Sequence, residues 1–371
     1  MNIIINASNL RKGGGLQVSD SICRELYKFS NIHFIVVLPL QLKDCKNSIS
    51  NYPNISVYEY NMPLTFGHIA TGRDRFLDTL VKKYDVEAVL TIFGPSRWRP
   101  KCLHLCGFAM PHIVLNDSPY WNLISATEKW KQRLRNKLMV RDFRRNTDAI
   151  WTENEYISKK VRQKLPKKKV LTVTNNYNQI FDSVSEWDNS INLPSFSGIT
   201  LLTVTANYPH KNLRIAIDAV EILAKSNPDL KVRFVYTITK EQFGEVPEEL
   251  ERSFIFLGRV KLSQCPHLYL QSDIMFQPSL LECFSATYAE AMKMGIPILT
   301  TDLGFAHSLC GSAAYYYSPV DAKSLAEAII EMAANGGLRQ TLVENGRQQL
   351  RCFDNYESRA EKLISSLKNL M

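Results

Sequence analysis

Short apolar runs alternate with stretches in which apolar residues recur every three or four positions, and the alternation continues over most of the chain. The runs Asn2–Ala7, His33–Leu38, Ala88–Ile92, Leu103–Phe108, Ala149–Thr152 and Val170–Val173 read as strands. Helical spacing over about Gln17–Phe29, Phe76–Tyr84 and Ile157–Leu165 fills positions between them. Strands alternating with helices predict an α/β fold, a parallel sheet with helices on both faces. After Phe181 the texture changes. Residues 182–198 are polar, turn-rich and without period, as a linker between domains should be. Alternation then restarts with Ile199–Ala206, a Leu213–Lys225 helix, Val232–Tyr236, Phe254–Leu257, Ser263–Gln271, Ile274–Gln277, a helix over Ala286–Met294 and Ile296–Thr300. The expected organisation is a first α/β domain over 1–181, a linker over 182–198, a second α/β domain over 199–352 and a closing segment, 353–371, whose helix could pack back on the first domain. In open α/β sheets ligands bind outside the carboxyl ends of the strands, so two such sheets predict a cleft between their loops.

Composition narrows the class. At 371 residues the chain has room for two domains of ordinary size, and 45% hydrophobic with 22% charged residues describes a soluble globular protein. No run of about 18 apolar residues occurs, and Met1–Asn6 is too short for a secretory signal and lacks its basic start, so a cytoplasmic protein is expected. The eight cysteines lack paired spacing, which favours reduced thiols. Cys102-Leu-His104-Leu-Cys106 alternates like a strand and has no second ligand pair, so it reads as strand rather than metal site.

A net charge of +9 invites nucleic acid, anionic lipid or a phosphorylated substrate. The densest basic stretch, Lys129–Arg145, carries Trp130, Leu134 and Leu138 at helical spacing. A helix with its apolar side on the core and a solvated basic side is the preferred reading; a face pressed onto an anionic membrane is the alternative. No zinc-finger spacing, glycine-aromatic RNA motif or recognition helix accompanies the charge, so nucleic acid is not an expected partner.

The most informative chemistry lies in Ser279–Met292, where Glu282-x7-Glu290 straddles a loop-to-helix boundary. Asp273–Pro278 reads as a buried strand, and the helix halts at Gly295 before Pro297. Glu282 then lies in the loop and Glu290 on the helix. Amides near Cys283–Ala286, at the helix N-terminus, suit a phosphate oxygen, while the carboxylates suit hydroxyls. A ligand with phosphate in its middle and polyol at both ends is a nucleotide sugar. A capped surface helix with two solvated glutamates is the competing reading.

Three other motifs fall at strand ends. Gly13-Gly14-Gly15 follows the first strand and lets backbone approach a ligand, yet it is neither Gly-x-Gly-x-x-Gly nor a P-loop. Lys211, in Asn207-Tyr-Pro-His-Lys211-Asn212-Leu, stands where a mobile ammonium could neutralise a diphosphate, with Asn212 as helix N-cap. His112, in Met110-Pro-His112, follows Leu103–Phe108 and would project from the strand end, whereas His104 lies within the strand.

Together the two α/β halves, the glycine-rich first loop, Tyr208-Pro-His-Lys211-Asn212-Leu and Glu282-x7-Glu290 followed by Ala-Met-Lys-Met-Gly-Ile-Pro resemble the retaining GT-B glycosyltransferases of family 4, the group 1 glycosyl transferases of bacterial polysaccharide and O-antigen type. The resemblance spans essentially the whole chain and is sharpest from Leu201 to Asp321; Val173-Thr-Asn-Asn176 and Phe181 also look like the segment before that family's linker. It implies two Rossmann-like domains facing across a cleft, the first binding acceptor and the second the donor. It implies that Lys211 contacts the donor diphosphate, Glu282 the transferred sugar and Glu290 the ribose. Gly14 and Gly15 would line the phosphate and acceptor side, Cys283, Phe284 and Ser285 would form the amide cradle, and His112 resembles an active-site histidine. Two departures stand out. Many members have Gly-Phe-Gly where this chain has Cys283-Phe-Ser285, and an arginine before the lysine is missing, leaving Arg259 as its substitute or as a surface residue.

The implied activity is metal-independent transfer, with retention, from a UDP- or GDP-linked sugar to a lipid-linked oligosaccharide in bacterial surface polysaccharide (O-antigen or capsule) synthesis, without a cofactor. No Asp-x-Asp triplet occurs. The enzyme would work in the cytoplasm or peripherally on the inner face of the cytoplasmic membrane. A sugar-nucleotide epimerase of the same architecture and a non-catalytic nucleotide-sugar-binding subunit are the rivals; fold alone does not separate them. Retention of Lys211, Glu282 and Glu290 together argues against the latter. An RNA-binding protein would reveal itself by uniform, salt-sensitive binding to unrelated oligonucleotides.

Overall fold

The computed structural model describes residues 1–63 and 65–371. They form two compact units: Met1–Asn116 with Ile124–Asn178 and Asp354–Met371, and Asp117–Leu123 with Gln179–Phe353.

The first unit is built on seven parallel strands, β1 (Asn2–Asn6), β2 (His33–Leu38), β3 (Ile55–Glu59), β4 (Ala88–Thr91), β5 (Leu103–Gly107), β6 (Ala149–Thr152) and β7 (Lys169–Thr172), in the order β3-β2-β1-β4-β5-β6-β7. Alternation along β1 and β2 divides their side chains cleanly. Ile3, Ile5, Phe34 and Val36 enter one buried cluster, and Ile4, Ile35 and Val37 enter another. Burial on both faces is why these strands read as unbroken apolar runs. The sequence reading missed β3, an edge strand whose Ser56 and Glu59 interrupt the apolar pattern.

Gly13 takes φ 81°, a left-handed value that glycine tolerates best, and directly precedes a Gly14–Cys23 helix. The helix predicted over Gln17–Phe29 thus starts earlier and ends earlier, a short 3₁₀ turn covering Leu26–Lys28. The closing Tyr356–Lys368 helix buries Leu363, Ile364 and Leu367 in the first unit's core. Its Arg359, 1% exposed, donates to Asn175 Oδ1 and to Ser21 Oγ at 2.6 Å.

The Ala126–Asn146 helix overturns the preferred core-facing reading. Trp130, Leu134 and Leu138 are 66%, 48% and 44% exposed. The buried side carries Val140 and Phe143, with half-buried Gln132, Asn136 and Met139 continuing it toward the N-terminus. Because much of that inward stripe is polar, apolar periodicity selected the solvent side instead.

The second unit has six parallel strands, β8 (Ile199–Thr203), β9 (Val232–Tyr236), β10 (Phe254–Phe256), β11 (Ile274–Gln277), β12 (Ile298–Thr301) and β13 (Ala314–Tyr317), ordered β10-β9-β8-β11-β12-β13. Edge strand β13, Ala-Tyr-Tyr-Tyr, also escaped the sequence reading. Residues 182–198 are not a free linker but lie along this unit. Gln271 donates to Ile191 O and accepts from Leu193 N, while Arg233 donates to Pro194 O and stacks on Phe196. These anchors are mostly backbone groups, which leave no mark on composition.

Candidate active site

Chain order along the second sheet reverses between neighbours β8 and β11. The chain leaves β8 toward β9 and leaves β11 toward β12, so the loops after β8 and β11 part at the strands' carboxyl ends, the switch point at which open α/β sheets bind ligands. Lys211 comes from the first loop and Glu282 from the second.

After β8 the chain forms a 3₁₀ turn, Pro209–Lys211, closed by Asn212 in the left-handed conformation at φ 48°, ψ 36°. Asn212 is therefore not the helix N-cap expected; the helix runs over Ile215–Ser226 behind Arg214. The turn fixes Lys211, whose Nζ donates to Glu282 Oε1 between side chains only 13% and 11% exposed. The ammonium is held by a carboxylate rather than mobile.

Loop Pro278–Cys283 is buried throughout. Leu280 N donates to His210 O at 2.8 Å, and Ser118 Oγ donates to Leu280 O at 2.6 Å. Gln277, 1% exposed at the end of β11, places its amide nitrogen 3.1 Å from Ser279 Oγ, 3.3 Å from Glu282 Oε1 and 3.1 Å from Ser285 Oγ. One side chain thus ties strand, carboxylate and helix start together. Sequence reasoning missed Gln277, although a buried amide closing an apolar run before Pro278 was its signal. Burial pushes His210 down to about 4, with Glu282 pulling it back up and Lys211 adding to the fall, so the imidazole is neutral at pH 7. It stacks on Tyr208 at 5.5 Å and meets the edge of Tyr120 at 6.3 Å.

The next helix, Ala286–Met294, begins at Ser285, but the Ser285 hydroxyl makes no cap hydrogen bond. It bonds Thr287 Oγ1 at 2.8 Å and accepts from Gln277 instead. Tyr288 N donates to the Ser285 carbonyl at 3.2 Å, and the positive end of the helix, with the amides ahead of Tyr288, suits an external acceptor. Cys283 is buried, and half-buried Phe284 packs edge-on against Phe353 at 5.6 Å.

Glu290 points inward from this helix and is 3% exposed. It accepts from Tyr269 OH at 2.9 Å, and burial pushes its carboxyl up to about 7 despite that bond. Tyr269 is the second residue the sequence did not reveal. An ammonium, a run of helix amides and two carboxylates suit a phosphate flanked by hydroxyl-bearing groups.

The other nominated residues lie on other loops and turns. Arg259 is exposed in the loop after β10, behind Gly258 at φ 70°. Gly14, Gly15 and His112 belong to the first unit. Both glycines sit in the first turn of a helix, and it is Gly13 whose backbone requires glycine. His112 lies in the Pro111–Val114 turn after β5, half-buried, its carbonyl accepting from Asn136 Nδ2 at 2.7 Å. His104, inside β5, is held by Thr91 Oγ1 at 2.8 Å and Asn146 O, and burial lowers it to about 4. Among the described residues no three His, Cys, Asp or Glu side chains gather as a metal-ligand group, and no helix is long and apolar enough to cross a membrane.

A switch point lined this way suits a nucleotide phosphate. Residues 192–349 match the family model for glycosyl transferases group 1. The phosphatidyl-myo-inositol mannosyltransferase of Mycobacterium leprae is 23% identical over 176 residues, 47% of each chain. The chain spans about half the length of the curated relatives it matches. Over its whole length it shares the GT-B fold, two Rossmann-like parallel-sheet domains. Sucrose-phosphate synthase from Thermosynechococcus elongatus superposes with a TM-score of 0.72 at 13% identity, over 100% of this chain and 98% of that one. Anabaena HepE in complex with UDP and glucose gives 0.68 at 15% identity, over 99% of both.

Proposed function

We propose that the protein is a retaining glycosyltransferase that moves a sugar from a UDP- or GDP-linked donor to a hydroxyl of a lipid-linked oligosaccharide in bacterial surface polysaccharide synthesis. The observation that carries this is the convergence of Lys211, Glu282 and the uncapped Ala286–Met294 helix at the switch point of the segment that matches the group 1 model. In this reading the Lys211 ammonium and the helix amides hold the diphosphate and take up the negative charge that grows as it leaves, with no metal ion required. Glu282 turns from Lys211 toward the hydroxyls of the transferred sugar, and Glu290 accepts from the ribose diol. The sugar passes through an oxocarbenium-like state as its bond to the diphosphate breaks, and the acceptor oxygen bonds the anomeric carbon on the face the diphosphate leaves, its proton passing to the departing phosphate oxygen. UDP and glucose in the Anabaena structure support a nucleotide-sugar donor. A lipid-linked acceptor places the work at the inner face of the cytoplasmic membrane.

Incubation with labelled nucleotide sugars and a lipid-linked acceptor, followed by NMR of the product, tests this reading. Acceptor-dependent product with the donor's anomeric configuration is expected. A product of opposite configuration would reject retention, and donor turnover without acceptor would make the protein an epimerase.

A further inference from the structure

The Ala126–Asn146 helix exposes a surface that the proposed chemistry does not use. At 100° per residue, Trp130, Leu134 and Leu138 fall within an arc of about 80°, opposite the side that Gln132, Asn136, Met139 and Phe143 turn inward. Lys131 and Arg135 flank this stripe on one side, Arg133 and Lys137 on the other, and all four are exposed. Eight basic and two acidic side chains give the helix six of the chain's nine net positive charges. Ser125 and Glu128 close a capping box that secures its first turn at the stripe's start.

We propose that this face docks the protein on an anionic lipid surface, with Trp130, Leu134 and Leu138 entering the boundary between headgroups and acyl chains and the flanking cations meeting lipid phosphates. Charge complementarity selects the occupant. An anionic bilayer satisfies both halves of the pattern at once, a negative plane above apolar depth, and an aromatic ring settles well at that depth. An acidic protein would match the cations but would need its own apolar hollow for three large side chains. The inference gives the membrane placement proposed above a surface, yet it stands on the helix alone, and a chain inactive in every transfer assay would still bind vesicles.

The test is sedimentation of the full chain with vesicles of phosphatidylcholine, alone or with about one third phosphatidylglycerol. Partition onto the anionic vesicles is expected to be at least about tenfold stronger and to weaken with salt. Replacing Trp130 and Leu134 together by Ala, or Lys131 and Lys137 together by Glu, should each lower it about tenfold at unchanged melting temperature. A blue shift of tryptophan emission on anionic vesicles should disappear in Trp130→Phe. Equal partition onto both vesicle types, or binding indifferent to these substitutions, would overturn the proposal. Binding to polyglutamate without binding to vesicles would assign the face to an acidic protein partner and overturn it equally.

Discussion

Lys211→Ala is expected to lower sugar transfer by about 10²–10³-fold, the loss typical of removing one preorganised charge from a transition state. The same change leaves Glu282 buried without its ion-pair partner, holding only the long Gln277 contact, and should cost about 1–3 kcal/mol of stability. Activity and folding are therefore confounded in the single variant. They separate in Lys211→Met combined with Glu282→Gln, which leaves no uncompensated charge. Thermal unfolding of the double variant should return toward the wild-type midpoint while transfer stays lost. Recovery of activity along with stability would mean that the pair is a structural ion pair and not part of the site.

The second large effect concerns Glu290. Its folded-state value of about 7 lies above the ordinary 4.5, because burial disfavours the carboxylate. Sugar-nucleotide hydroxyls donating to this group require it ionised, so binding expels a proton whenever the pH is below about 7. Affinity for a nucleotide sugar, whose diphosphate does not titrate here, should therefore fall about tenfold per pH unit below that point and level off above it. Glu290→Gln should flatten the dependence and weaken binding at pH 8. For folding the sign is opposite to that of a salt-bridged acid. The protonated carboxyl contributes stability below about pH 4.5, and that contribution is lost as pH rises through about 7. Glu290→Gln, which cannot ionise, should therefore stabilise the protein at pH 8 by up to about 2–3 kcal/mol. Calorimetry from pH 5.5 to about 8.5 and melting curves over the same range check both arms.

Central strands were legible in the sequence because burial on both faces leaves nothing but apolar residues in β1, β2 and β11 apart from their ends. Edge strands β3 and β13 were not, since one open flank admits Ser, Glu and Tyr. In the Ala126–Asn146 helix the apolar stripe was read correctly and its direction was not. Periodicity marks a face without saying which way it points, and here Asn136 faces inward because it bonds the His112 carbonyl. At the site, carboxylates at a fixed spacing around a helix start could be seen in one dimension. Gln277 and Tyr269, which bond them from 5 and 21 positions away, and Ser118, which holds Leu280 in their loop from 162 positions away, could not, because tertiary contact brings each one in.

Calorimetric titration of wild type, Lys211→Ala and Glu290→Ala with UDP, GDP and ADP and with their sugars tests the central claim most directly. One nucleotide should bind, and each substitution should weaken it by roughly 1–3 kcal/mol, the loss of charged hydrogen bonds. No binding by any nucleotide, or binding untouched by both substitutions, would contradict the assignment of the donor to Lys211, Glu282 and Glu290.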